Sequence, residues 1–87
     1  MVVFVDSQFY VYIIRSRTAP NRYYTGLTRN VAARLAAHNA GRCTHTATAK
    51  NWEVVVAIGF ADEARAIAFE KYLKSGSGAA FAKRHLR

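Results

Sequence analysis

The sequence predicts an α+β layer fold in the order β–β–α–β–α, closed by a short terminal helix. Three observations carry this reading. Two aromatic and β-branched runs, FYVYII and RYYT, flank the turn chemistry of Pro20-Asn21. A third β-branched run, WEVVVAIGF, stands alone between two segments of helical spacing. The Ser75-Gly76-Ser77-Gly78 breaker then precedes a basic tail, AAFAKRHLR.

Gln8 to Ile14 reads as the first strand, and a period of two puts Tyr10, Tyr12 and Ile14 on one face. RSRTAPNR makes a loop longer than two residues. Arg22 to Thr25 reads as the second strand of a hairpin. Thr28 sits where an N-cap belongs, with Asn30 as a second candidate. Val31, Ala32, Leu35 and Ala36 recur at helical spacing, so a first helix runs from about Arg29 to Asn39 and Gly41 can end it. Residues 40–51 are small, polar and basic, and read as an exposed loop with His45 in solvent. Trp52 opens the third strand as a core residue. Asp62 caps a second helix, EARAIAFEKYLK, which residues 75–78 stop. The tail forms a short basic third helix.

Bulk properties narrow the function. The chain has 87 residues, which predicts a single domain over 1–87. Its hydrophobic content of 52% argues for a globular core and against disorder. The net charge of +8 makes a polyanion the leading partner class. Cys43 is the one cysteine, so no internal disulfide forms, and a lone thiol suits a reducing, cytoplasmic setting. The opening MVVFVDSQFYVYII lacks a basic start and carries Asp6, unlike a secretory signal. No run approaches the ~20 apolar residues of a membrane-spanning helix.

Glu70 is the most informative side chain. On a helical wheel it falls between Ala66 and Ile67, inside the arc of Phe69, Leu73, Ala66 and Ile67. A carboxylate there must be paired, hydrogen-bonded or metal-bound. One reading is an i,i+4 pair with Lys74; the other is a functional carboxylate. Arg34 and His38, also i,i+4 neighbours, flank the stripe of Val31, Leu35 and Ala32. They read either as solvated surface or as a phosphate-holding and proton-shuttling pair. The hairpin can bring Tyr12 near Tyr24, as core packing or as chemistry.

Tyr10-Val11-Tyr12 and Tyr24-Thr25-Gly26 resemble the two halves of the GIY-YIG nuclease signature. The helix with Arg34 and His38 follows at a suitable distance, then the helix with Glu70. FEKYLKSGSG resembles the small stand-alone bacterial members of that superfamily. The resemblance spans about Phe9 to Phe81. It departs from the signature in lacking the first glycine and in having Thr25 for isoleucine.

The resemblance implies a small three-stranded antiparallel sheet flanked by helices. It implies a DNA endonuclease using one divalent cation, Mg²⁺ or Mn²⁺, weakly specific or structure-specific, with repair or recombination as its setting. Carried over by position, Glu70 holds the metal and Arg34 contacts the scissile phosphate. Tyr12 and Tyr24 assist the attacking water, one as general base, and His38 helps proton transfer or phosphate contact. Gly26 permits a close turn where the strand feeds the loop. Arg29, Arg42, Lys50, Lys74, Lys83 and Arg84 are candidates for DNA backbone contacts. Two rivals stand beside this: a nucleic-acid-binding module that keeps the fold without turnover, and a partner-binding domain without a nucleic-acid role.

Overall fold

β-Branched and aromatic side chains favour extended backbone and pack well on a pleated surface. The runs rich in them form the three strands of the computed structural model, which describes residues 8–87. The reading of the N-terminal stretch as no secretory signal lies, up to Ser7, outside these residues. β1 (Phe9–Ser16), β2 (Tyr23–Thr28) and β3 (Trp52–Phe60) make one antiparallel sheet in the order β2-β1-β3. β1 is central and carries the fully buried aliphatic residues Val11, Ile13 and Ile14. Tyr12 pairs with Gly26 on one side and with Ala57 on the other.

Helices cover both faces. On one, Val11 and Ile13 pack with Ala66 and Leu73 of α2 (Glu63–Lys74) and Ala82 of α3 (Gly76–His85). Tyr23 packs against this cluster as the alternation of β2 requires. On the other face Tyr12 and Ile14 pack with Trp52 and Ala49, and Leu35 of α1 (Val31–Asn39) covers them. The β1–β3 register shifts between Ile13 and Ile14, so Val55 is an extra residue on β3. Val55 and Val56 consequently both contribute to the helix-side cluster.

The ends of α1 are set by side-chain and backbone bonds. Its N-cap is Asn30, whose Oδ1 accepts from the Ala33 N–H at 3.0 Å. Thr28 is not the cap; it is still paired with Tyr10 in the ladder. At the other end Gly41 takes φ +74°. The Gly41 N–H reaches the His38 carbonyl and the Arg42 N–H reaches that of Ala37, the paired bonds of a Schellman ending. Asn39 then ties α1 to β3. Its Oδ1 accepts from the Trp52 N–H at 2.6 Å, and its Nδ2 donates to the Trp52 carbonyl at 3.1 Å.

Two further expectations are corrected. Residues 75–78 do not only stop α2, because Ser75 also starts α3. Its hydroxyl donates to the Tyr72 carbonyl at 2.6 Å and accepts from the Gly78 N–H at 3.2 Å. Gly78 is needed there: a Cβ on it would strike the Tyr72 carbonyl. The segment 40–51 is not wholly exposed. It contains a turn of 3-10 helix, Thr44–Thr46, that buries Thr46, and it also buries Ala49.

Candidate active site

Tyr12 stands at the centre of the α1 face and is 1% exposed. Its ring lies directly over Gly26 of β2, where a Cβ would collide with the phenol oxygen and the ring. Gly26 therefore lies within β2 and makes no turn. Its missing side chain opens the space that Tyr12 fills.

His38 comes from the last turn of α1 and is also 1% exposed. It does not flank the apolar stripe as a solvated residue; Asn39 and the Gly41 ending turn it inward. Its Nε2 is 2.8 Å from the Tyr12 hydroxyl, and its Nδ1 is 2.7 Å from the Thr46 hydroxyl. The Tyr24 ring centroid lies 5.0 Å from that of His38 and 6.4 Å from that of Tyr12. Tyr24 is half-buried and the more accessible of the two phenols. Exposed His45 lies beside it, the two rings inclined by 19°.

Arg34, one turn before His38, is exposed and lies beside the Tyr12 hydroxyl. Burial raises the Tyr12 pKa above the usual phenol value, and the hydrogen-bonding Arg34 guanidinium opposes the rise. The same contact holds Arg34 charged. Burial, then the Arg34 charge, lowers the His38 pKa below its ordinary 6.5. His38 is thus a neutral imidazole at neutral pH, able to accept one proton.

Glu70 lies at the margin of the α2 packing face, its side chain 21% exposed. The apolar arc is narrower than the wheel suggests, since Ile67 is 40% exposed. The i,i+4 pair forms: Lys74 Nζ is 3.2 Å from Glu70 Oε2. The same ammonium sits 5.7 Å from the Tyr24 ring centroid. The pair therefore reaches Tyr24 through Lys74, and Glu70 itself is held by the ion pair.

No group of three or more His, Cys, Asp or Glu gathers to hold a metal among the described residues. A single rim carboxylate does not make an all-protein cage. Released from Lys74, it would suit a hard divalent ion such as Mg²⁺, which keeps several waters and takes one or two carboxylates plus substrate phosphate oxygens.

The proposed DNA-contacting cations are spread over the surface. Lys74 reaches the tyrosines and shares a groove with Tyr23, Tyr24 and Arg87, whose guanidinium lies 4.3 Å from the Tyr23 ring centroid. Arg42 and Lys50 are exposed in the segment that follows α1. Lys83 and Arg84 are exposed on the last turn of α3, and Arg84 borders a separate hollow with Phe81 and His85. Arg29 does not converge on the tyrosines. It stacks 5.1 Å from the Phe9 ring centroid, and Phe9 packs on the opposite face of the sheet. Thr46 is a site neighbour that sequence reasoning missed. It stands in a polar loop with no periodicity to mark it. No helix among the described residues is long and apolar enough to cross a membrane.

Residues 8–84 match the model of the GIY-YIG catalytic domain. UPF0213 protein SH2523 of Staphylococcus haemolyticus (strain JCSC1435) is 36% identical over 72 residues, covering 82% of this chain and 85% of that protein. No solved structure matches this chain significantly.

Proposed function

This chain belongs to the GIY-YIG family, a nuclease superfamily, and from that premise we propose that it is an endonuclease hydrolysing DNA phosphodiester bonds with one divalent cation, Mg²⁺ or Mn²⁺. The observation that carries the reading is the Tyr12–His38 hydrogen bond, set beneath exposed Arg34 and bordered by Tyr24 and the Glu70–Lys74 pair.

Phosphodiester hydrolysis needs an attacking oxygen, a sink for its proton and neutralisation of growing negative charge. Arg34 projects a guanidinium fork that matches phosphate oxygens bidentately. Tyr24, the accessible phenol, orients the attacking water. Glu70 would hold the cation, which when bound neutralises charge on the scissile phosphate.

Tyr12 and His38 take the proton. Their ordinary pKa values are ~10 and ~6.5, a gap worth about 5 kcal/mol for moving a proton from phenol to imidazole. The shifts in this site, up for Tyr12 and down for His38, widen that gap. A standing phenolate–imidazolium pair is therefore too costly. The water proton must enter Tyr12 as the Tyr12 proton leaves for His38, so that the phenol is neutral before and after.

The +8 charge supplies affinity for the phosphate backbone. Arg42, Lys50, Lys74, Lys83 and Arg84 are its surface contributors. Such contacts position DNA without reading bases. Weak sequence specificity follows, and recognition of DNA structure suits a role in repair or recombination within a reducing cytoplasm.

The Glu70–Lys74 ion pair favours the rival reading, a binding module without turnover, because Lys74 already satisfies the carboxylate. Nicking of supercoiled plasmid in Mg²⁺ or Mn²⁺, wild type beside Glu70→Ala, separates the two. Metal-dependent nicking that the substitution abolishes, with DNA affinity retained, supports the nuclease. A wild type that binds DNA with a steep salt dependence but never nicks it supports the module.

A further inference from the structure

The proton route just described rests on the nuclease reading and needs His38 in one particular neutral form. Only an imidazole with its proton on Nδ1 can accept from Tyr12 at Nε2. Two observations bear on which form is present. The Tyr12 hydroxyl meets His38 Nε2 at 2.8 Å. Beside it lie the Arg34 guanidinium, which offers donors and no acceptor, and Tyr24 and Cys43, while the acceptor at hydrogen-bond distance is His38 Nε2. The Tyr12 O–H therefore has Nε2 as its acceptor. His38 Nδ1 then carries the imidazole proton and needs an acceptor of its own. That acceptor is the Thr46 hydroxyl, 2.7 Å away.

Thr46 is built to serve in this way. It is 0% exposed, so no water competes for its oxygen. Its backbone carbonyl accepts from the Trp52 indole N–H at 3.3 Å. Arg22 clamps both sides of it, donating to the His45 carbonyl at 3.0 Å and to the Thr48 hydroxyl at 2.5 Å. The Thr46 hydroxyl can donate to the Cys43 carbonyl, 3.4 Å away and long for a hydrogen bond, which would leave its lone pairs for His38.

We propose that Thr46 is a positioning residue whose hydroxyl holds His38 in the Nδ1-protonated form, leaving Nε2 open to the Tyr12 proton. It touches no substrate and acts through His38. Without that hydroxyl the Nδ1–H has no partner, which removes the preference for this form over the one with the proton on Nε2, donated to the Tyr12 oxygen. In that second form Nε2 is a donor and the relay has no terminus.

The test uses the full chain with ¹⁵N-labelled histidine, reading the two His38 ring nitrogens by NMR at neutral pH. Wild type and Thr46→Ser are expected to carry the proton on Nδ1, and Thr46→Val to lose that signature. Plasmid nicking should fall by about 10- to 100-fold in Thr46→Val, as for residues that orient a reacting histidine, with DNA affinity unchanged and Thr46→Ser restoring the rate. A wild-type proton on Nε2 overturns the proposal without any variant. So does a folded Thr46→Val that keeps both tautomer and rate. A wild type with the proton on Nδ1 but no nicking upholds the role of Thr46 in setting His38 and removes the nuclease reading instead.

Discussion

Gly26→Ala tests the relation between the second signature motif and the first. A Cβ at Gly26 would lie 2.6 Å from Tyr12 Cζ and 2.9 Å from Cε1, closer still to the phenol oxygen. Carbon atoms pack at about 3.5 Å or more, so the ring must retreat by roughly 1 Å. Tyr12 is 1% exposed, with the Tyr24 ring beside it and His38 at its hydroxyl, so no open space receives the ring. A shift of that size disturbs the 2.8 Å hydrogen bond between the hydroxyl and His38. Overpacking costs about 1–3 kcal/mol, and an unmade buried hydrogen bond about 1–3 more. Alanine returns about 0.5–1 kcal/mol through backbone entropy. The net loss is about 2–4 kcal/mol. For a domain of this size, that lowers Tm by roughly 10–25 °C at about 4–8 °C per kcal/mol. Differential scanning calorimetry of both proteins measures it, beside plasmid nicking, which a 1 Å misplacement should slow about 100-fold. An unchanged Tm with an unchanged rate would refute the packing argument and return Gly26 to a purely backbone role.

Two predictions concern other parts of the molecule. Gly78→Ala should be more damaging than Gly26→Ala, because its Cβ meets the Tyr72 carbonyl and Leu73 Cα rather than the end of a side chain; loss of helical circular dichroism or of soluble protein is expected, and a native spectrum with a native Tm contradicts it. His38 gives stability a pH dependence: its folded pKa lies below the unfolded value, so the unfolded chain binds more protons as pH falls. Its contribution is present above ~6.5 and is lost as pH drops through the folded value, in the field of Tyr12, Tyr24 and Arg34. Glu53 is also depressed, by Arg15 and then Arg17, but its loss comes at more acidic pH. Urea midpoints from about pH 8 to 5 should decline for wild type and stay flatter for His38→Gln.

The elements with strong local punctuation were legible in the sequence. β3 and α2 run over the residues expected, because Asp62 separates them and Ser75 ends the second. Strand β2 extends past Thr25 to Thr28 because Gly26 is not punctuation at all. Its role depends on a ring from another strand, which a local pattern does not encode. α1 starts at Val31 rather than Arg29 because the β1–β2 ladder still holds Thr28. The same limit applies to burial. His38 looked like one flank of a solvated ridge, and it is interior because Asn39 docks α1 on Trp52. Tyr12, Tyr24, Arg34 and His38 lie beside one another, and Glu70 is linked to them only through Lys74. Thr46 joins them through a 3-10 turn inside a polar segment, a tertiary event with no trace in composition.

The chain has a single tryptophan. Trp52 is buried, its indole N–H bonded to the carbonyl of Thr46 and its ring centroid 6.5 Å from that of His38. The protein thus contains its own optical probe, one indole that red-edge excitation selects from the five tyrosines. Protonation of His38, release of the 44–46 turn or undocking of α1 would each change the surroundings of that one indole. Emission from unlabelled protein, followed in a stopped-flow mixer with DNA or in a pH jump, therefore reports changes around His38 and the 44–46 turn in real time.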